Sequence, residues 1–195
     1  MSNIGKILLI AILIIVAMVG CGQYNSLVTK SEQVNNAWSN VESAYQRRAD
    51  LIPNLVETVK GYANFEQQTL TAVVEARSKA TSMTIDPSNI TPEQLSEYQQ
   101  AQSGLSQALG RLLMITENYP DLKANQNFLE LQSQLEGTEN RIKVERDKYN
   151  GVVTDYNIGV RKFPANLFAG VFGFKPRGQF EAEAGADKAP QVKFN

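Results

Sequence analysis

Phe128, Leu135, Ile142, Tyr149, Tyr156 and Phe163 stand seven residues apart, six large side chains in unbroken register over some 36 residues. Seven residues make two turns of α-helix, so this spacing keeps one seam of a helix turned toward its neighbours. Leu131 and Val152 lie on the alternate seam, where Thr138, Glu145 and Gly159 take the remaining places. A helix of this length runs about 54 Å. A chain carrying such a rod needs other helices to bury it.

Two further stripes supply them. Val34, Trp38, Val41, Tyr45, Ile52, Leu55, Val59 and Tyr62 recur at spacings of mostly three and four, with Arg48 the one polar residue on the stripe. Pro53 lies inside this pattern and removes one backbone hydrogen bond, which predicts a kink, or a break near Asp50. Leu95, Tyr98, Leu105, Leu109, Leu112 and Tyr119 form the third stripe. Its start is written out as Thr91-Pro92-Glu93-Gln94, an N-cap hydroxyl, a proline at the first helical position and a capping-box glutamine. A shorter stretch over 64–83, capped by Asn64, carries Phe65, Leu70, Val73, Val74, Ala76 and Ala80 on one side. Gly61 allows a turn before it, and a continuous bent helix over 24–83 is the alternative. Thr84–Ile90, with Asp86-Pro87 and Ser88-Asn89, is a loop. No segment alternates with a period of two. The expected fold is all-α: an antiparallel four-helix bundle over 24–163, with helices near 24–62, 64–83, 92–118 and 125–163.

The N-terminus carries an address. Ile7–Gly20 is an unbroken apolar run, preceded by Lys6 and ended by Cys21, the only cysteine. A basic start, an apolar middle and a small residue before a cut make an export signal. Val19-Gly20-Cys21 resembles the end of a lipobox, with Met18 where leucine is usual, so Cys21 is a lipidation candidate. The alternative is a single-pass anchor, with Ile4–Gly22 bridging a thinned bilayer and Lys6 snorkelling. Either way residues 1–22 tether the chain to a membrane, with the bundle outside the cytoplasm. At the other end, 164–176 is aromatic and glycine-rich. It is expected to cover an end of the bundle, the alternative being a place on the bilayer surface. From Gly178 the tail reads as polar and mobile, with Phe180, Val192 and Phe194 scattered in it.

Composition narrows the chemistry. Nineteen basic and 20 acidic residues leave a net charge of −1, and no basic excess exists to neutralise the phosphates of a nucleic acid. The chain has no histidine, which removes the commonest general base and a common transition-metal ligand. Without Cys21 no thiol is left for a disulfide or a metal.

Five blocks together resemble the LemA family of bacterial membrane-anchored proteins. They are YNSLV at Tyr24–Val28, YQRRADLIPNLVETVKGYA at Tyr45–Ala63, NYPDLKANQNFLELQSQLEGTENRI at Asn118–Ile142, YNGVVTDYN at Tyr149–Asn157, and FGFKPRGQFEAEAGADKAPQVKF near the end. The resemblance implies an N-terminal membrane segment and an extracytoplasmic helical bundle. It carries no catalytic residues to transfer. Family members commonly have an ordinary spanning helix where Cys21 stands, so the mode of anchoring stays open.

The charged candidates each have a plain reading. Arg48 and Glu145 both fall on seams, and antiparallel helices would bring them within a turn or two, as a buried ion pair. An anion pocket around Arg47, Arg48 and Asp50 is the alternative. Glu136, Glu139, Glu145, Asp147 and Asp155 alternate with Arg141, Lys143, Arg146 and Lys148, as on a solvated helix face. Two of them acting on a glycan is the rival enzymatic reading. The tyrosines and Trp38 are core residues, or else a cradle for an apolar ligand. Gly104 and Gly110 weaken the third helix and point to close helix approach or a hinge. The reading that follows is a non-enzymatic, membrane-tethered interaction module without catalytic, cofactor or metal residues. Its expected partners are the membrane, an envelope protein, or a second copy of itself.

Overall fold

The computed structural model describes residues 3–61 and 67–181. Tyr62, Asn64 and Phe65, and the tail beyond Glu181, lie outside the described residues. Among the described residues six α-helices follow one another: α1 (Asn3–Lys60), α2 (Gln67–Ser82), α3 (Pro92–Thr116), α4 (Pro120–Lys123), α5 (Gln126–Arg161) and α6 (Ala165–Phe172), with a 3-10 turn at Pro87–Asn89. No strand occurs among the described residues, and the fold is all-α.

α1 has 58 residues, about 87 Å at 1.5 Å per residue. It joins the apolar run to the first bundle helix without interruption, where the sequence reading sets residues 1–22 apart. It also passes through Pro53, where a break near Asp50 is one sequence expectation. Ile52, Leu55, Val56 and Val59 flank that proline and are buried, so packing on both sides outweighs the one lost hydrogen bond.

α3 starts as its sequence specifies. The Thr91 hydroxyl accepts from the Gln94 amide at 3.2 Å, while the Thr91 amide donates to Gln94 Oε1 at 3.1 Å. Asn125 caps α5 with one such bond, its side chain accepting from the Phe128 amide at 3.1 Å.

The long helices pair by their stripes. α1 lies along α5 and α2 along α3. Lys30 Nζ donates to the Asp155 carbonyl at 3.0 Å, and Arg48 meets Glu139 farther on. As α1 advances α5 therefore recedes, and the two run antiparallel. Arg77 Nε of α2 donates to the Ala49 carbonyl of α1 at 2.7 Å. The core divides in two. An aromatic half gathers Trp38, Tyr45, Tyr98, Tyr149, Tyr156 and Phe180 near the apolar end of α1, and an aliphatic half around Ile52, Leu55, Leu105, Leu112 and Leu135 lies beyond. Phe163, the last member of the seven-residue series, is 74% exposed. α5 ends at Arg161, so that side chain leaves the seam.

The segment after α6 departs most from expectation. Residues 174–181 form an extended strap across α1, α3 and α5, although the sequence reading has the tail mobile from Gly178. Polar side chains hold its backbone as an adjoining strand would. Asn157 accepts from the Arg177 amide at 2.8 Å and donates to the Arg177 carbonyl at 2.9 Å. Asn150 repeats the arrangement with Phe180, at 2.8 and 2.9 Å. The Tyr149 hydroxyl donates to the Gly178 carbonyl at 3.1 Å. At Gly178 the strap crosses the start of α3, donating to the Ile90 carbonyl at 2.9 Å. A methyl group there would stand 3.0 Å from the Pro92 backbone, so glycine is what lets the two segments approach.

Phe180 is the anchor of the strap. It is buried, stacks on Trp38 at 6.1 Å and meets Tyr149 edge to face at 5.5 Å. Replacing a buried aromatic by alanine costs about 3 kcal/mol or more. Phe180→Ala is therefore expected to lower unfolding stability by about that amount, measured by circular dichroism in denaturant. A change within error would mean that the strap rests on the bundle without supporting it.

Candidate functional site

Arg48 holds the most constrained polar position in the bundle. Heptad spacing turns it inward at the boundary between the aromatic and aliphatic halves, and it is 1% exposed. Its Nη1 donates to Ser106 Oγ at 2.7 Å and to Glu139 Oε1 at 2.5 Å. Its Nη2 donates to Gln102 Oε1 at 2.7 Å and to the Gln102 carbonyl at 3.2 Å. Gln102, itself buried, donates from Nε2 to the Ala80 carbonyl at 3.3 Å. The guanidinium also faces the Tyr45 ring at 5.2 Å. Side chains of α1, α3 and α5 and a carbonyl of α2 thus meet in one polar layer.

The pairing predicted for Arg48 with Glu145 is replaced by Arg48 with Glu139. Both seam residues are buried, but each finds a different partner. Glu145, 2% exposed, binds Arg141 Nε at 2.8 Å and Lys148 Nζ at 3.1 Å on its own helix. Glu139 lies beside the seam with its side chain 44% exposed. It leaves the solvated-face group for the layer, because the long arginine reaches past its own stripe. Among the described residues no three acidic or cysteine side chains come close enough to hold a metal.

A second buried arginine escaped the sequence reading. Arg177, on the strap, donates from Nη1 to Asn35 Oδ1 and from Nη2 to Ser31 Oγ, both at 2.7 Å. It also faces the Tyr156 ring at 5.1 Å. The only signal for it was its place in the family-like block FGFKPRGQFEAEA, since the region lacks periodicity.

The aromatic residues pack against one another. Trp38 meets Tyr98 at 5.3 Å and Tyr149 at 5.6 Å, and Tyr45 meets Tyr98 at 5.4 Å, all edge to face. Burial pushes the Tyr98 and Tyr149 phenols above their ordinary value, with Tyr45 and Glu42 adding to the shift at Tyr98 and Arg177 opposing it at Tyr149. These rings stay protonated and neutral throughout the physiological range. Farther from the apolar end of α1, α2 and α3 leave an open groove lined by Gln68, Ala72, Ala76, Gly104, Gln107 and Arg111.

The LemA family model matches residues 37–194, most of the chain. The chain belongs to the LemA family. It is similar to magnetosome protein MamQ 2 of Paramagnetospirillum magneticum, 28% identical over 200 residues covering 93% of this chain and 74% of the relative. MamQ of Magnetospirillum gryphiswaldense is 27% identical over 190 residues, covering 87% and 70%. Protein LemA of Metamycoplasma hominis is 29% identical over 148 residues, covering 76% of this chain and 64% of that one. The LemA match starts at Ala37, so it spans Arg48, Gln102, Ser106, Glu139 and Arg177 but leaves out Cys21 and the apolar run.

Breaking a buried charged network by removing one partner costs about 3 kcal/mol or more, whereas an exposed ion pair is worth about 1 kcal/mol or less. Arg48→Ala is expected to destabilise by the first amount and Glu139→Gln by an amount between the two, because Glu139 is half exposed but its loss leaves the buried guanidinium without its carboxylate, in chemical denaturation of the detergent-solubilised chain. Arg48→Lys should fail to restore stability, because an ammonium cannot bind Gln102, Ser106 and Glu139 together in a planar fork. Equal costs for Arg48→Ala and Glu139→Gln would contradict the layer as described.

Proposed function

We propose that this LemA-family chain is a single-pass, non-enzymatic scaffold that holds a rigid helical bundle against a membrane and presents it to another envelope protein. The observation that carries the reading is α1. Its first part has a mean hydropathy of 2.8 over 18 residues with 6% of them buried, long and apolar enough to cross a membrane. The same helix then becomes the central rod of the bundle with no linker. From Tyr24 to Lys60 it reaches about 54 Å. A body held that way keeps a fixed height and orientation, as presentation of a surface requires. The α2–α3 groove lies on the half farther from the apolar run and is the face offered to a partner.

The unbroken helix at Cys21 favours the spanning helix over the lipoprotein. Cleavage before Cys21 would also remove Gly20, against which Phe168 packs. The charged groups that invited catalysis have structural partners: Glu139 in the layer, and Glu145 between Arg141 and Lys148. That supports the non-enzymatic reading over a glycan hydrolase. The ring-on-ring packing of Trp38, Tyr98, Tyr149 and Phe180 supports a core over a ligand cradle.

Mass spectrometry of the native chain, purified from its membrane in mild detergent, tests both parts of the proposal. An N-terminal peptide starting at Met1 or Ser2 is expected, together with a copurifying envelope protein or a second copy. A diacylglyceryl Cys21 would overturn the spanning helix, and a chain that always elutes alone and monomeric would overturn the scaffold.

A further inference from the structure

α6 turns the wrong side chains outward for a helix in water. Its sequence ANLFAGVF has no charge, and the two residues it buries against the bundle are alanines, Ala165 and Ala169. Leu167 is 60% exposed and Val171 80%, with Phe172 and the preceding Phe163 also exposed. A helix on a soluble surface puts its large apolar residues inward and its small or polar ones outward.

Its position supplies the explanation. The ring of Phe168 covers Gly20 so closely that a Cβ there would stand 2.9 Å from Cε1. Gly20 is the one buried residue between Ile4 and Tyr24. One turn farther along both helices, Phe172 meets Tyr24 edge to face at 4.9 Å, and Phe174 meets it at 5.8 Å. The step from Phe168 to Phe172 follows the step from Gly20 to Tyr24, so α6 climbs beside α1 in the same direction. Its first turn therefore lies on the apolar side of Gly20, two residues after the exposed Phe163. A bilayer takes up about 20 helical residues, so a span starting near Ile4 leaves the lipid close to Gln23. α6 stands at that exit. Arg161 and Lys162 before it and Lys175 after it are exposed.

We propose that the α5–α6 corner and α6 form an interfacial wedge, seated beside α1 in the leaflet from which the bundle emerges. Leu167, Val171, Phe163 and Phe172 enter the boundary between headgroups and acyl chains. Arg161, Lys162 and Lys175 reach lipid phosphates, as the basic flanks of interfacial helices do. The occupant is lipid because the exposed face is continuous, through the Phe168–Gly20 contact, with the segment that itself must face lipid. The wedge gives the bundle a second membrane contact beside the span, which prevents it from rotating or tilting freely about α1.

This inference rests on the spanning reading of α1, so the test separates the two. The full chain with Cys21→Ser receives a nitroxide at one introduced cysteine: Leu13→Cys in the span, Val171→Cys in the wedge, or Ser133→Cys on an exposed face of α5. Each is reconstituted into phosphatidylcholine–phosphatidylglycerol vesicles, and collision rates with oxygen and with a water-soluble nickel chelate are measured. Val171 is so exposed that a label there leaves the core intact. Positions 13 and 171 are expected to favour oxygen over nickel severalfold more than position 133 does. Lipid-like behaviour at 13 with aqueous behaviour at 171 would overturn the wedge and leave the span standing. Protection of 171 from both reagents would mean that protein covers it, and would also overturn the wedge. Aqueous behaviour at 13 would overturn the span and the wedge with it.

Discussion

In the proposed arrangement one helix has to satisfy two solvents, and the rest of the structure follows from how α1 does so. Over Ile4–Val19 its large side chains are exposed, the arrangement that lipid accepts and water does not. From Leu27 onward a single stripe is buried while the opposite face stays exposed. The change takes fewer than ten residues and involves no break in the helix. A hinge at this point would let the bundle drift. In the proposed arrangement a continuous backbone instead fixes the bundle's height, and the contacts of α6 at Gly20 and Tyr24 add a lateral constraint at the same level.

The second requirement is that packed helices choose one alignment among many. Apolar stripes alone allow neighbouring helices to slide by a turn at modest cost. The Arg48 layer removes that freedom, because a desolvated guanidinium must find Gln102, Ser106 and Glu139 at once. The Arg177 site fixes the strap in the same way, through Ser31 and Asn35 on α1 and Asn157 on α5. These polar contacts lie along α1 at intervals, so they set its register against α5, α3 and the strap together. Phe180 then fills the aromatic half of the core, which the helices do not close unaided.

Much of this is legible in the spacing of residues. The stripes through Val34–Val59, Leu95–Leu112 and Phe128–Tyr156 are the buried faces of α1, α3 and α5, and the capping box at Thr91 starts α3 where its chemistry requires. Arg48 stands out as the polar residue on an apolar stripe. Its partner was not legible, because periodicity gives the face of each helix but not the offset between two of them. Glu139 and Glu145 are six residues apart, and only the three-dimensional register decides between them. The strap was missed for another reason. Its order comes from Asn150, Asn157 and Tyr149 binding its backbone, and an extended segment held by side chains of distant helices leaves no local period. Phe163 shows the converse, a side chain in sequence register that falls after the helix has ended.

The continuity of α1 across the apolar run and the bundle is the claim on which the rest stands. It is tested most directly by a spin–spin distance in the full chain with Cys21→Ser, reconstituted in lipid nanodiscs and labelled at Leu13→Cys and Ser43→Cys. A straight helix places these backbone positions about 45 Å apart, and the account predicts one narrow distribution near that value. A broad distribution, or one centred well below it, would mean that the anchor and the bundle are hinged, and would contradict the account.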